Sequence, residues 1–229
     1  MIQKLVSSVH KFGTPRQRVR ATLCQVYHHA LHNRLSQAKD LIMKTHINQV
    51  ISLQHVDNQI LYNRALTQTG MAAFRLGKVT ESHEILNDIC QNSKYKELLA
   101  QKFSSLQEKS SEYEAEEKRR QIPFHMTINL QVLDCIHLIT SMLIEIPSFA
   151  QHQFTMHKNV ASKNFKRLID YYDQRAFNLA AEQYRDNIVL AARALNKSDW
   201  ELAIQNIFNI SFIARLPEFE SGILQQNLV

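Results

Sequence analysis

Glycine and proline are scarce, with four of each in 229 residues. A sheet-rich fold of this length needs many tight turns, and the residues that make them are missing, so an all-helical chain is expected. Cysteine is nearly absent too. Cys24, Cys90 and Cys135 are odd in number, widely spaced and set among apolar neighbours. They supply neither a disulfide framework nor a zinc spacing, and they suit a reducing compartment. The first residues, MIQKLVSSVHKFG, lack the uninterrupted apolar core and small-residue cleavage site of a secretory signal. No Gly-rich loop follows a strand to cradle phosphate, and no Ser, Cys or Thr sits in a nucleophile-elbow context. No Ser/Gly-rich linker or low-complexity tract interrupts the chain. These absences predict a protein that is not an enzyme, with no cofactor and no small-molecule substrate.

What is present is apolar bulk. Hydrophobic residues make up 45% of the chain, enough to bury a full core in one elongated domain or two small ones. The formal net charge is +6 and the isoelectric point near 9.2. That excess favours acidic partners such as RNA or acidic protein surfaces, and it reads as modest and spread along the chain.

The most apolar stretch follows a charged run, in KRRQIPFHMTINLQVLDCIHLITSMLIEIP at 118–147. From about 129 to 146, Asp134, His137, Ser141 and Glu145 recur every three or four positions. Leu130, Leu133, Ile136, Ile139, Met142, Leu143 and Ile146 cover the rest of the circumference. The pattern predicts a helix buried on most sides with one narrow wet stripe, packed by two sets of helices. Thr127 or Asn129 is suited to cap its start, and Pro147, without an amide hydrogen, is expected to stop it. The charged and polar residues inside the stretch argue against a membrane span of about twenty residues.

Either side of this helix the chain reads as hairpins. Residues 16–31 place Val19, Leu23, Val26, Tyr27 and Ala30 at helical spacing, and 36–45 place Ala38, Leu41 and Ile42, with Asn33 and Arg34 between. A second pair spans about 58–76 and 80–90, broken at Gly77. Its first helix carries Ile60, Leu61, Ala65, Leu66, Thr69, Ala72, Ala73 and Leu76 on one face and Gly70 in the middle, where close packing is expected. Helices are also expected over 93–120, with Tyr95, Leu98, Leu99, Phe103 and Leu106 inward, and again after Pro147. A last hairpin is expected over 176–195 and 200–213, with Pro217 opening a tail. One spacing recurs: small residue, turn residue seven later, small residue five further on, bulky residue four beyond. Gly70, Gly77, Ser82 and Leu86 fit it, as do Ala191, Ser198, Ala203 and Ile207, while Asn33, Ala38 and Ile42 fit its second half. Leu35, Val79 and Trp200 each stand two residues past the turn. Small residues let paired helices approach and the turn residue reverses the chain, which predicts a right-handed superhelical stack of tetratricopeptide-like hairpins, an α-solenoid. Its expected extent is 16–215, after an extension at 1–15 and before a tail at 216–229.

Candidate chemistry is thin. His28 and His32 of HHALH share a helix face, but a zinc site needs further ligands and a hydrolytic one needs a glutamate that the motif lacks, so surface or interface histidines are the better reading. Lys158, Lys163, Lys166 and Arg167, interleaved with Phe165, Tyr171 and Tyr172, have the make-up of an RNA contact; Lys11, Arg16, Arg18 and Arg20 form a second cluster and Lys118, Arg119 and Arg120 a third. The competing reading is of solvated helix faces whose aromatics point inward. The polar stripe of the central helix and the apolar ends near 216–228 are candidate partner contacts.

YHHALH at 27–32, QILYNRALTQTGMAAFRLG at 59–77 and above all RRQIPFHMTINLQVLDCIHLITSMLIEIP at 119–147 resemble the c-subunit family of eukaryotic translation initiation factor 3. The resemblance covers 15–147 well, weakens over 148–197 and returns around Lys197, Ser198, Asp199 and Trp200. It implies a helical arm of the PCI type, cytoplasmic and assembled with other PCI-type subunits on the small ribosomal subunit. Ribosomal RNA or mRNA would be a candidate contact, and no membrane is implied. Two departures stand out: no winged-helix module follows the helices, and the acidic, serine-rich N-terminal segment of that family is missing, so the chain is expected to be the helical-arm part of a longer protein. Three other readings compete: a proteasome-lid or signalosome component of PCI type, a freestanding RNA-binding helical protein, and a helical metalloenzyme.

Overall fold

Three turns carry the same backbone signature. Asn33, Gly77 and Ser198 all adopt the left-handed region, with φ of 56°, 73° and 64°. In each, the turn residue's N–H bonds the carbonyl three back and the next N–H bonds the carbonyl five back: Asn33 to Ala30 and Arg34 to His29, Gly77 to Phe74 and Lys78 to Ala73, Ser198 to Leu195 and Asp199 to Ala194, at 2.9–3.1 Å. This is the Schellman closure, which satisfies carbonyls that a helix end leaves free. The three positions are those at which the spacing pattern placed its turn residues.

The computed structural model describes residues 2–91, 115, 127–151, 162–174, 181 and 183–214. Its longer elements are α1 (Ile2–Phe12), α2 (Pro15–Leu31), α3 (Leu35–Thr45), α4 (Ile47–Val50), α5 (Val56–Arg75), α6 (Val79–Gln91), α7 (Leu130–Gln151), α8 (Lys163–Asp173), α9 (Tyr184–Asn196), α10 (Trp200–Phe208) and α11 (Ser211–Ala214). No strand occurs among the described residues. The chain divides into two compact units, one holding 2–72, 115 and 127–130 and the other 73–91 and 131–214 of those residues, so the boundaries fall within α5 and after the first residue of α7.

In the first unit the expected extension at 1–15 contains a helix, α1, which packs on α2. The corner between them is built for close approach. Gly13 N–H bonds the Val9 carbonyl at 2.7 Å, and a Cβ on Gly13 would stand 2.5 Å from that oxygen. Thr14 and Gln17 then form a capping box over Pro15, satisfying the free amides of the new helix. Leu23 is buried with Ile47 and Leu61, and Val26 with Ala38 and Ala65, so one face of α2 meets α3, α4 and α5. Along α5, Ile60, Leu61, Ala65, Thr69, Gly70, Ala72 and Ala73 are buried as expected, while Leu66 is half-buried and Leu76, next to the turn, is exposed.

In the second unit α9 and α10 pack as a hairpin, and α8 packs on both α6 and α9. The small and bulky positions of the pattern, Ala191, Ala203, Ser82, Leu86 and Ile207, are all buried. The residues two past each turn are not equivalent: Leu35 is buried and Val79 half-buried, whereas Trp200 is 55% exposed. The last hairpin is shorter than expected at its C-terminal end, while 176–180 and 182 of its first expected helix lie outside the described residues. α9 starts at Tyr184, where Gln183 N–H bonds Asp186 Oδ2 at 2.8 Å in a reciprocal cap. The run to 213 breaks at Asn209, an ordinary turn-former, which lets Ile210 turn inward to 2% exposure. Pro147 does not stop α7 but lies inside it, one turn before Gln151; its missing hydrogen removes a single bond and the last turn persists. By length and composition α7 could cross a membrane, so the polar residues do not rule out a span by themselves; more than half of its apolar window is nevertheless buried inside the protein. Apart from residue 115, which is helical, the expected helix at 93–120 lies outside the described residues, as does the tail from 216.

Candidate functional site

The stripe expected to be wet is dry. On α7, His137 and Ser141 have no exposed surface and Glu145 is 2% exposed. Periodicity gave the stripe its face, but three distant segments cover it. His83 of α6 stacks on His137, with centroids 5.4 Å apart and planes at 7°, and lies 3.3 Å by its Nδ1 from Ser141 Oγ. Ser162, the N-cap of α8, donates its backbone N–H to Glu145 Oε1 at 2.5 Å, places its Oγ 3.4 Å from His137 Nε2, and accepts the Phe165 amide. Tyr184 and Arg185 at the start of α9 both donate to Asp134 Oδ2, at 2.8 and 2.7 Å. The stripe is therefore an internal seam fixing α6, α8 and α9 on α7, and only Asp134 retains contact with solvent. It is not a partner surface.

Burial sets the charge states along the seam. Burial first and the neighbouring His83 second, against Asp134, hold the His137 pKa down to about 4. His137 is thus neutral near pH 7, and its buried Nδ1 has no hydrogen-bond partner among the described residues. Burial raises the Glu145 carboxyl, against the Ser162 amide and the charge of Lys166. Tyr184 is pushed up to about 12 by burial and by its bond to Asp134. Ser and His contacts of this sort can activate a nucleophile, but Ser141, Ser162 and His137 are fully buried, so no substrate reaches them.

The basic residues of α8 sit on its solvent face. Lys163, Lys166 and Arg167 are exposed at positions i, i+3 and i+4, and Asn164 reaches back to the Cys90 carbonyl at 3.1 Å. The interleaved aromatics mostly point inward. Phe165 is buried and Tyr172 hydrogen-bonds Asp186, so neither is free to stack on a base; Tyr171 is exposed, edge-on to Tyr172. Lys158, Lys118, Arg119 and Arg120 lie outside the described residues.

In the first unit His28 and His32 meet edge-to-face with centroids 4.4 Å apart, and the pKa values of His28 and His29 are lowered by burial and by neighbouring cations. No group of three or more His, Cys, Asp or Glu is placed to hold a metal ion among the described residues. Arg16 is tied to Asp57 at 3.0 Å and to His55, which joins the start of α2 to the start of α5. His83, Ser162, Tyr184 and Arg185 were not singled out from the sequence. Each lies far from its α7 partner along the chain, and only Ser162, a capping residue before a helix, carried a local signal.

Among the described residues the chain is a helical protein with a thrice-repeated turn and a sealed polar seam. Comparison with known families gives its membership. The family model described as eukaryotic translation initiation factor 3 subunit 8 N-terminus matches residues 1–156, and the chain belongs to this family. The C subunit of eukaryotic translation initiation factor 3 from Xenopus tropicalis is 42% identical over 203 residues, covering 87% of this chain and 22% of that protein. The corresponding protein of Bombyx mori is 40% identical over 211 residues (91% and 24%) and that of Coccidioides immitis 37% over 236 (99% and 27%). The chain thus spans about a quarter of the length of the curated relatives it matches.

Proposed function

We propose that the chain is a non-enzymatic scaffold segment of translation initiation factor 3, a PCI-type helical arm whose hairpins stack as a right-handed α-solenoid and whose open faces bind sibling PCI-type subunits and the small ribosomal subunit in the cytoplasm. The observation that carries this reading is the identical left-handed closure at Asn33, Gly77 and Ser198. Repeated hairpins bury a core continuously and leave long surfaces free, which is what a scaffold requires. Family membership supports the setting, and it argues against a proteasome-lid or signalosome component. The exposed Lys163, Lys166 and Arg167 favour an accompanying contact with ribosomal RNA or mRNA through phosphates, without base stacking by Phe165.

Chemical crosslinking of the assembled factor on the small ribosomal subunit tests the proposal. Crosslinks from Lys163, Lys166 and Lys197 to sibling subunits or ribosomal proteins are expected. Crosslinks from these lysines only to residues of the same chain would contradict it.

A further inference from the structure

The positive charge of this chain is concentrated at one end. Of its 27 Lys and Arg and 21 Asp and Glu, residues 1–39 hold seven and none, which leaves twenty against twenty-one for the rest. The surplus read as spread along the chain therefore belongs to α1, α2 and the start of α3. Lys4, Lys11, Arg16, Arg18, Arg20 and Arg34 are all exposed. Arg16 is engaged by Asp57, and Arg18 Nε donates to the Gly13 carbonyl at 3.0 Å. Lys4, Lys11, Arg20 and Arg34 have no carboxylate within ion-pair range among the described residues.

Between α1 and α2 lies a groove of about 590 Å³ with Val9, Phe12, Gly13, Ala21 and Cys24 along it and Arg20 beside them. The groove is built, not incidental. The Gly13 corner, the Thr14 capping box and the 3.3 Å contact of His10 Nε2 with Thr22 Oγ1 hold α1 on α2. Phe12 is 89% exposed at its mouth and Leu5 59% exposed on the same helix.

We propose that this face docks an acidic amphipathic helix from a partner protein, its apolar side on Phe12 and the groove and its carboxylates toward Arg20, Lys11 and their neighbours. Charge complementarity selects the sign of the partner, since α1 and α2 carry no carboxylate of their own to repel an acidic one. The groove favours a protein over RNA, because a base could stack only on Phe12 and would gain little from Val9, Ala21 and Cys24. A helix fits better than an extended strand, because no strand among the described residues offers an edge to extend. This inference does not depend on the scaffold reading.

The test measures fluorescence anisotropy of a labelled synthetic helix, with Leu and Ala on one face and Glu on the other, titrated with the 229-residue chain. A scrambled peptide of the same composition and poly-uridylate serve as competitors. The amphipathic helix should bind and weaken as salt rises. Phe12→Ala and the pair K11E/R20E should each lower affinity about tenfold, the size of a moderate hot spot. All three positions are exposed, so circular dichroism should show unchanged helicity. Bound peptide should also slow alkylation of Cys24, which is exposed while Cys90 and Cys135 are buried. Equal binding of the scrambled peptide with no effect of Phe12→Ala, no binding of the amphipathic helix, or tighter binding of poly-uridylate through the same arginine and lysine would each overturn the proposal.

Discussion

The rings of His83 and His137 lie parallel to within 7° in the interior of the second unit, between α6 and α7. Two imidazoles stacked out of water tolerate each other only while uncharged, so this contact makes the fold sensitive to protons. With a folded pKa of about 4 against an ordinary 6.5, His137 binds its proton more readily in the unfolded chain. Its contribution is fully present above about pH 6.5 and is lost as pH falls from there through 4, on the order of 3 kcal/mol in all. Urea melts from pH 7.5 to 4.5 should show stability falling with pH, and His137→Phe should flatten the dependence. A wild-type midpoint independent of pH would contradict the stacked, neutral pair.

Glu145 has the opposite sign. Its carboxyl is raised by burial, so the folded chain takes up a proton there more readily than the unfolded one, and its buried charge costs stability above that range. Glu145→Gln keeps an oxygen for the Ser162 amide and removes the charge. It should leave stability at pH 7 unchanged or raise it by about 1 kcal/mol, whereas Glu145→Leu should lower it by about 1–3 kcal/mol by orphaning that amide. Thermal melts of the two variants decide this; equal losses would mean that the charge itself is needed.

The repeated turns give a paired prediction. Ser198 is exposed and left-handed, so Ser198→Gly should stabilise by about 0.5–1 kcal/mol, and Gly77→Ala should cost about 1–2 kcal/mol. Denaturation midpoints moving in the same direction for both would show that the two turns are not equivalent.

For the basic helix, Lys166→Glu with Arg167→Glu alters two exposed charges and should leave the melting temperature within a degree or two. If α8 meets RNA phosphates, the slope of log affinity against log salt should fall by about one per contact removed. An unchanged slope assigns those residues to solvent.

Much of the fold was legible because its signals are local. The left-handed positions at Asn33, Gly77 and Ser198 showed through the residue types that tolerate positive φ and the small residues at fixed distances from them. The seam on α7 was half legible. Three-to-four spacing placed Asp134, His137, Ser141 and Glu145 on one face, but whether that face meets water depends on His83, Ser162 and Arg185, far away in sequence. Pro147 inside α7 and the break at Asn209 escaped because a helix end is set by a difference of a few tertiary contacts, which local rules do not weigh. The inward turn of Phe165 followed the same logic, since aromatic spacing alone fits a core and a stacking platform equally.

The scaffold reading stands or falls on company. The most direct measurement is low-salt affinity purification of the tagged full-length protein from its own cells, with the co-purifying proteins identified and quantified. Recovery of other PCI-type subunits of the initiation factor, in constant proportion and together with small-subunit ribosomal proteins, is the predicted result. Recovery of proteasome-lid or signalosome subunits, or of RNA without any PCI-type subunit, would contradict it.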